Sequence, residues 1–516
     1  MNKHADHVLR RVWPSLVLMA IVALAAFLRL SNLRSIPAWY PDEGSWIAIA
    51  SDALHGQSAY LAFGGSSLIA GRPPLFHWLL AGVFSFTGVD ILWARSLTVA
   101  LGLLTLLILY VIVERMCGAG AALAASAFYA VYPSAVVYHR LALTYNLLAP
   151  FYLLVIFGLW RAADASHRRN RWIAVAALCV GFALLTDLAA VSLLVFMILV
   201  LLFIRPKALW WTVPLALLPF LIWGGGMWLA AGEFFLQDLA FTFSRTNASL
   251  LLQVTRIIFY RTTLESDLWL TLGGLSLLWQ SDRRRRWLTA GLFGLTLLTV
   301  VRNGPAFGQS SYFLIPLFPL AAWGMGVLLA QGVPILIEQL DATWGSALAQ
   351  IPRLPRVLNS LILFLLLVAP AFSMIAEGVW LNYSLYTARL GDTLADPAAA
   401  GQVAEYVNAR TSPEEVVLTS PAIAWLLRAH AADFQMAVAA TGKATAHFPA
   451  NIPLARFRFD PRLETATYVI LDPLWRGWGA AQMPEVKAMV QTVEKQWVLQ
   501  GRIGAFDVYR RPASNP

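Results

Sequence analysis

The stretch Ala38-Trp-Tyr-Pro-Asp-Glu-Gly-Ser-Trp46 follows closely on Trp13 to Leu30, the first apolar run long enough to cross a bilayer. Two adjacent carboxylates, Asp42 and Glu43, therefore stand where the neighbouring residues otherwise suit hydrocarbon. Ionisable groups are expensive to hold in or against a membrane, so the pair reads as a reaction centre or an ion path rather than a solvated loop. The apolar run predicts a membrane bundle, and the acidic pair predicts where it works.

The rest of the chain agrees. Its 516 residues are 59% hydrophobic and 13% charged, with a mean hydropathy of +0.64. That is the composition of a polytopic helical membrane protein. Further apolar runs include Ile91 to Val113, Ala119 to Val137, Leu143 to Trp160, Leu209 to Ala230, Tyr312 to Ala330 and Val357 to Ile375. Trp172 to Ile204 is broken at Thr186-Asp187 and reads as two shorter spans. At about 20 residues per crossing, the pattern predicts about eleven spans.

The net charge of +10 does not point to nucleic acid, because Lys and Arg fall in short clusters between apolar runs. With a cytosolic N-terminus, Arg10-Arg11, Arg115, Arg168-Arg169, Arg205, Arg283 to Arg286 and Arg353 all fall in cytosolic loops, as the positive-inside rule requires. Asp42 and Glu43 then face outside. The first span lacks a small-residue cleavage site and reads as retained. Cys117 and Cys179, the two cysteines, imply neither a disulfide framework nor a thiolate metal site.

The sequence divides into a transmembrane domain, residues 1–390, and a water-exposed α/β domain, residues 391–516. Within the first, the external loop 34–90 carries amphipathic pieces. Trp46, Ile47, Ile49, Ala50, Ala53 and Leu54 recur at helical spacing, predicting a helix lying on the membrane. A second helix is predicted over Leu75 to Phe86, entered through Arg72-Pro73-Pro74. A further external segment, Glu233 to Asp267, carries Arg245, Arg256 and Arg261 and is expected to cover the same face. In the C-terminal domain, helices are predicted over Val403 to Arg410, Ile423 to His430 and Glu485 to Gln496. Strands are predicted over Val416 to Thr419, Thr467 to Leu471 and Ala505 to Arg510.

The bland account of Asp42 is a helix N-cap, with Glu43 as first-turn charge. It leaves unexplained why Tyr40, Asp42, Glu43, Arg72, His77 and Arg140 all fall on the external side. The acids do not suit a glycosidase, which sets two carboxyl groups on either side of the glycosidic bond. One base suffices for a transferase whose leaving group is a phosphate.

Arg29, Pro41-Asp42-Glu43, Gly71-Arg-Pro-Pro-Leu-Phe-His-Trp78, Trp93-Ala-Arg95 and Tyr138-His-Arg140 with Leu147 together resemble glycosyltransferase family 39. That family includes protein O-mannosyltransferases and lipid A aminoarabinose transferases. Gln309-Ser-Ser-Tyr-Phe-Leu-Ile-Pro316 is similar to its late Tyr-x-x-x-Pro helix. The resemblance spans residues 10 to about 330 and implies the GT-C membrane fold, a polyprenyl-phosphate-linked sugar as donor, and inversion at the anomeric carbon. It carries Asp42 over as general base with Glu43 beside it, and Tyr40, Arg72, His77, Arg140 and Tyr312 as substrate contacts. The chain departs from the family at Asn146, where many members have Asp, and at Thr186-Asp187, where many have Thr-Lys.

The expectation is an all-α polytopic GT-C protein with a C-terminal extracytoplasmic α/β domain, placed in the plasma (inner) membrane. It would move a sugar to an acceptor hydroxyl on a lipid, protein or glycan. A divalent metal ion is the one cofactor left open, with no ligand set assigned. The rival reading is a secondary transporter or lipid flippase with Asp42 and Glu43 as ion-binding carboxylates and Asp187 as a proton site. A third is a non-catalytic assembly partner whose external domain does the work.

Overall fold

The computed structural model describes residues 3–65, 72–164, 168–244, 250–303, 310–335, 337–339, 361, 368–387, 390 and 393–512. The chain begins with α1 (Lys3–Leu30), followed by α2 (Pro41–Leu54) and a small hairpin, β1 (Ala59–Tyr60) with β2 (Phe63–Gly64). Helices α3 (Leu75–Thr87), α4 (Ile91–Cys117), α5 (Ala119–Val131), α6 (Pro133–His139) and α7 (Tyr145–Asp164) come next. Then follow α8 (Arg169–Leu184), α9 (Val191–Ile204), α10 (Leu209–Ala231), α11 (Glu233–Ser244), α12 (Leu250–Ser266), α13 (Leu268–Ser276) and α14 (Arg283–Asn303). A 3₁₀ segment, Ser310–Leu317, leads into α15 (Phe318–Val327), and α16 (Ala369–Leu381) precedes the C-terminal domain.

Helix boundaries follow local chemistry. Asp90 caps α4 by accepting the Leu92 amide at 2.8 Å, and Gly118 ends it at φ +93°, a conformation that favours glycine. Among the described residues, five helices are long and apolar enough to cross a membrane: Trp13–Leu30, Ile91–Cys117, Tyr145–Asp164, Pro206–Ala231 and Tyr312–Gln339. The bent pair α5–α6 makes a sixth if counted as one span, with a 60° break. Pro133 opens α6 at its first turn, where its missing N–H costs nothing, and so the run divides there. Of the about eleven spans expected, several are shorter apolar helices among the described residues, including Leu75–Thr87, Leu188–Ile204 and Leu268–Trp279. Most of the expected span at Val357 to Ile375 lies outside the described residues.

The C-terminal domain is α/β, as expected. It contains α17 (Pro397–Asn408), β3 (Val416–Leu418), α18 (Pro421–Ala424), β4 (His430–Ala432), α19 (Phe434–Ala439), β5 (Tyr468–Leu471), α20 (Pro484–Gln496), β6 (Val498–Ile503) and β7 (Phe506–Arg510). The sheet order is β4-β3-β5-β7-β6. The first three strands are parallel, and β7 runs antiparallel to both its neighbours. The helix expected over Ile423 to His430 is a single short turn, and His430–Ala432 pairs instead with Val416–Leu418. Tertiary pairing overrides a local apolar pattern there.

Helix α2 does not lie on a membrane surface. Nine of its fourteen residues are buried, including Glu43, Gly44, Ser45 and Trp46. It is clamped between the bundle and the C-terminal domain. A Cβ on Gly44 would fall 1.8 Å from the Pro421 carbonyl oxygen, so only glycine allows that backbone approach. Trp39 and Ala395 form a β-bridge, as do Phe63 and Phe457. Asp52 of α2 pairs with Arg458 at 3.1 Å. Arg456 makes a buried bidentate pair with Asp238 of α11 at 3.0 and 2.7 Å, and also donates to the Gly65 carbonyl at 2.9 Å. Of the two helices in the segment Glu233 to Asp267, α11 thus helps hold the C-terminal domain in place through Asp238.

Candidate active site

The N-cap of α2 is Tyr40, followed by Pro41 at the first helical position. Asp42 is therefore not the cap, and the bland account of it fails. Asp42 and Glu43 diverge because successive residues of a helix point about 100° apart. Glu43 is fully buried. Arg95 donates to both its oxygens, from Nε at 2.8 Å and Nη2 at 2.7 Å. The amides of Ala142 and Tyr40 donate as well, at 2.8 and 3.0 Å. With four donors on two oxygens, Glu43 anchors α2 to α4 and to the turn after α6, and has little capacity left for a substrate.

Arg140 is likewise engaged by the protein. It donates to the carbonyls of Leu28 at 3.0 Å, Ser31 at 2.7 Å and Ile36 at 2.7 Å, and to the Asn382 side-chain oxygen. It ties the loop after α1 to the end of α16, and its Nε is buried without a hydrogen-bond partner. Arg29 behaves similarly, bonding His139 Nδ1 at 2.9 Å and the carbonyls of Tyr129 and Ala130. Asn146, where the family often has Asp, donates to the carbonyls of Tyr138, Leu141 and Leu143 and so holds the α6–α7 turn.

The remaining expected residues converge. The Asp42 side chain is 28% exposed, and Arg72 Nη2 stands 4.0 Å from its Oδ1. Tyr312 hydrogen-bonds Asp42, and its ring meets Tyr40 at 6.2 Å edge-on and Tyr145 at 5.1 Å. The Arg72 guanidinium sits 4.2 Å from the centroid of Trp46, a cation–π placement that sets its plane. Trp46 in turn stacks on His77, with centroids 4.7 Å apart. Arg72 Nη1, Trp46 Nε1 and His77 Nε2 are all buried without a hydrogen-bond partner. Three such atoms within one stack are polar capacity that the protein's own groups leave unused. His77 has a backbone hydrogen bond with Pro73. Proline has no N–H, so the ring donates to that carbonyl through Nδ1, and the neutral ring leaves Nε2 as an acceptor.

Other residues of the neighbourhood carry little signal in the sequence. Asp187 caps the turn before α9 through the Ala189 amide at 2.8 Å and hydrogen-bonds Tyr145. Burial pushes its carboxyl up to about 6, against the pull of the Ala189 amide, Arg72 and Tyr145. Its position at the break in an apolar run is visible in the sequence, but its link to Arg72 is not. Tyr260 is buried with an unpartnered hydroxyl. Arg256, one turn earlier on α12, donates to the Arg302 carbonyl at 2.6 Å. Arg261 points away, paired with Glu265, while Arg245 and Gln309 lie outside the described residues. Among the described residues, no group of three or more His, Cys, Asp or Glu is arranged to hold a metal ion.

Comparison with known proteins supports the fold. Residues 71–224 match the family model of dolichyl-phosphate-mannose-protein mannosyltransferases. The structure is similar to ArnT from Cupriavidus metallidurans bound to undecaprenyl phosphate, at 17% identity and a TM-score of 0.66, covering 96% of this chain and 98% of that one. It is also similar to the oligosaccharyltransferase AglB from Archaeoglobus fulgidus in complex with an inhibitory peptide and a dolichol-phosphate. There the identity is 11%, the TM-score 0.56, and the coverage 98% of this chain and 75% of that one. No curated protein matches by sequence. The chain is thus a multi-pass membrane protein with the GT-C glycosyltransferase fold, and its residues 71–224 carry the mannosyltransferase family's sequence pattern.

Proposed function

We propose that this protein is an inverting glycosyltransferase that moves a sugar from a polyprenyl phosphate to an acceptor hydroxyl at the external face of the plasma membrane. The observation that carries the reading is the pairing of a partly exposed Asp42 with Arg72, whose Nη1 is buried and unpartnered. A carboxylate with solvent access lies beside a cation with a donor to spare, at the edge of an apolar bundle. The undecaprenyl phosphate on ArnT and the dolichol-phosphate on AglB support a lipid-linked donor for the same fold.

In this reading the lipid tail lies along apolar helices while the donor phosphate meets Arg72, whose planar fork can engage two oxygens. Asp42 takes the proton of the acceptor hydroxyl as its oxygen attacks the anomeric carbon. The bond from that carbon to the phosphate oxygen breaks on the opposite face, and the polyprenyl phosphate leaves with the electron pair. Attack opposite the leaving group inverts the configuration. Tyr40 and Tyr312 border Asp42 and hold its position.

The test is transfer from defined polyprenyl-phosphate sugars by purified protein, comparing wild type with Asp42→Asn. General-base assistance is worth about 10²- to 10⁴-fold, so the variant should lose that much turnover while still binding donor. Wild-type turnover in Asp42→Asn would overturn the assignment. Electrogenic or proton-coupled transport without sugar transfer would favour the transporter reading instead.

A further inference from the structure

The C-terminal domain reaches into the wall of the candidate site through one side chain. Asp433 is almost fully buried and caps α19, its Oδ1 accepting the Met436 amide at 2.9 Å. Its other oxygen accepts from the Tyr60 hydroxyl at 3.3 Å, and that hydroxyl lies 3.0 Å from Ser45 Oγ. Ser45 and Tyr60 are buried too. Ser45 stands three residues after Asp42 on α2, and residues three apart share a helix face. A hydrogen-bonded chain therefore runs from the C-terminal sheet domain, through the small hairpin, to the turn of helix that carries Asp42. Asp433 and Tyr60 also both interact electrostatically with Arg72.

Two further observations show that this contact is built rather than incidental. The α2 backbone at Gly44 meets Pro421 so closely that no Cβ fits. Asp52 at the far end of α2 is paired with Arg458. The C-terminal domain thus grips α2 at its first turn, on its buried face and near its end.

We propose that Asp433 is a positioning residue for the transfer reaction, acting through Tyr60 and Ser45 to set the distance between Asp42 and Arg72. The active site is then a two-domain structure, complete only when the C-terminal domain is seated. The proposal rests on the transfer reading above. A hydrogen-bond chain ending on a carboxylate is stiffer than one ending on solvent, because a buried charged acceptor makes the stronger bond. Small displacements of a catalytic base are costly, and an error near 1 Å can remove about a hundred-fold in rate.

The experiment compares Tyr60→Phe, Asp433→Asn and the double variant in the full-length protein. The readouts are kcat and KM for a polyprenyl-phosphate sugar, the thermal melt, and amide hydrogen exchange of residues 44–48. Tyr60→Phe keeps the ring and removes only the hydroxyl that joins Ser45 to Asp433. Asp433→Asn keeps an oxygen for the Met436 amide. Each single variant should lower kcat by about ten- to a hundred-fold with donor KM little changed, because geometry is lost while the phosphate contact stays. The double variant should be no worse than the poorer single, since both cut one path. Exchange of the α2 amides should rise in all three.

Unchanged kcat and unchanged α2 exchange in Tyr60→Phe and Asp433→Asn would overturn the proposal, as would fully additive losses in the double variant. A lower melt with unaltered kcat per folded molecule would reduce the contact to a structural role and equally overturn it. If the wild type transfers no sugar from any polyprenyl phosphate, the transfer reading falls instead. The exchange data then decide alone whether Asp433 holds α2.

Discussion

Arg95 grips both oxygens of Glu43 at 2.8 and 2.7 Å, and its remaining donor, Nη1, bonds the carbonyls of Leu33 and Pro37 at 3.0 and 2.8 Å. This fully buried pair divides the work of two neighbouring acids. Glu43 holds α2 in the bundle, and Asp42 stays partly exposed beside Arg72. Removing one partner of such a pair leaves an uncompensated buried charge, which costs about 3–5 kcal/mol. Arg95→Ala should therefore lower the melting temperature sharply or prevent folding, whereas Asp42→Asn should not. Thermal unfolding in detergent checks both. A stable, active Arg95→Ala protein would show that the clamp is dispensable.

Arg72 offers a test of phosphate recognition. Lysine keeps the charge but loses the planar fork and its placement 4.2 Å from Trp46. Arg72→Lys should raise the donor KM by about ten-fold or more, matching the ~1.5–3 kcal/mol of a charge-assisted hydrogen bond, with little change in melt. Steady-state kinetics over a range of donor concentrations make the measurement. Wild-type KM in both Arg72→Lys and Arg72→Ala would remove Arg72 from the site.

Arg140 should behave in the opposite way. Its donors serve the carbonyls of Leu28, Ser31 and Ile36 and the side chain of Asn382. Arg140→Ala should lower stability by several hydrogen bonds' worth, about 3 kcal/mol or more when buried acceptors are left unmet, and donor KM per folded molecule should hold. A normal melt with a large KM increase would restore it as a donor contact.

Gly44→Ala tests the seat of the C-terminal domain on α2. The added Cβ would fall 1.8 Å from the Pro421 carbonyl oxygen, too close for any rotamer change to relieve, since the obstacle is backbone. The variant should expose the 391–516 region to limited proteolysis and lower transfer even though helix propensity favours alanine by about 1 kcal/mol. Protection equal to wild type would mean that the interface can slide.

Asp433 gives a dependence on pH. Burial is the main cause that raises its carboxyl to about 6, opposed by the Met436 and Gln435 amides, Tyr60 and Arg72. A folded-state value above the unfolded one means the native protein binds the proton more tightly. The contribution of this group to stability is greatest at low pH and is lost as pH rises through about 4 to 6. The melting temperature of Asp433→Asn, relative to wild type, should therefore improve as pH is raised across that window. A difference that is flat with pH would show that Asp433 does not titrate there.

The sequence by itself determined the class of the protein. Apolar runs of membrane length, basic clusters in alternate loops and an acidic pair beside Pro41 are local patterns, and they carry the helical bundle; that Asp42 stands beside Arg72 is a matter of tertiary structure. The α/β character of the C-terminal region was legible for the same reason, since composition changes after the last apolar run. Only the tertiary structure decided which of the charged residues work on one another. Glu43 lies beside Asp42 in sequence yet turns to Arg95, and Arg140 lies in a family motif yet bonds backbone carbonyls. Asp433 carries no motif, and reaches Tyr60 across 373 positions. A side chain's role depends on which acceptors or donors remain unsatisfied once it is buried, and burial is set by contacts between distant segments.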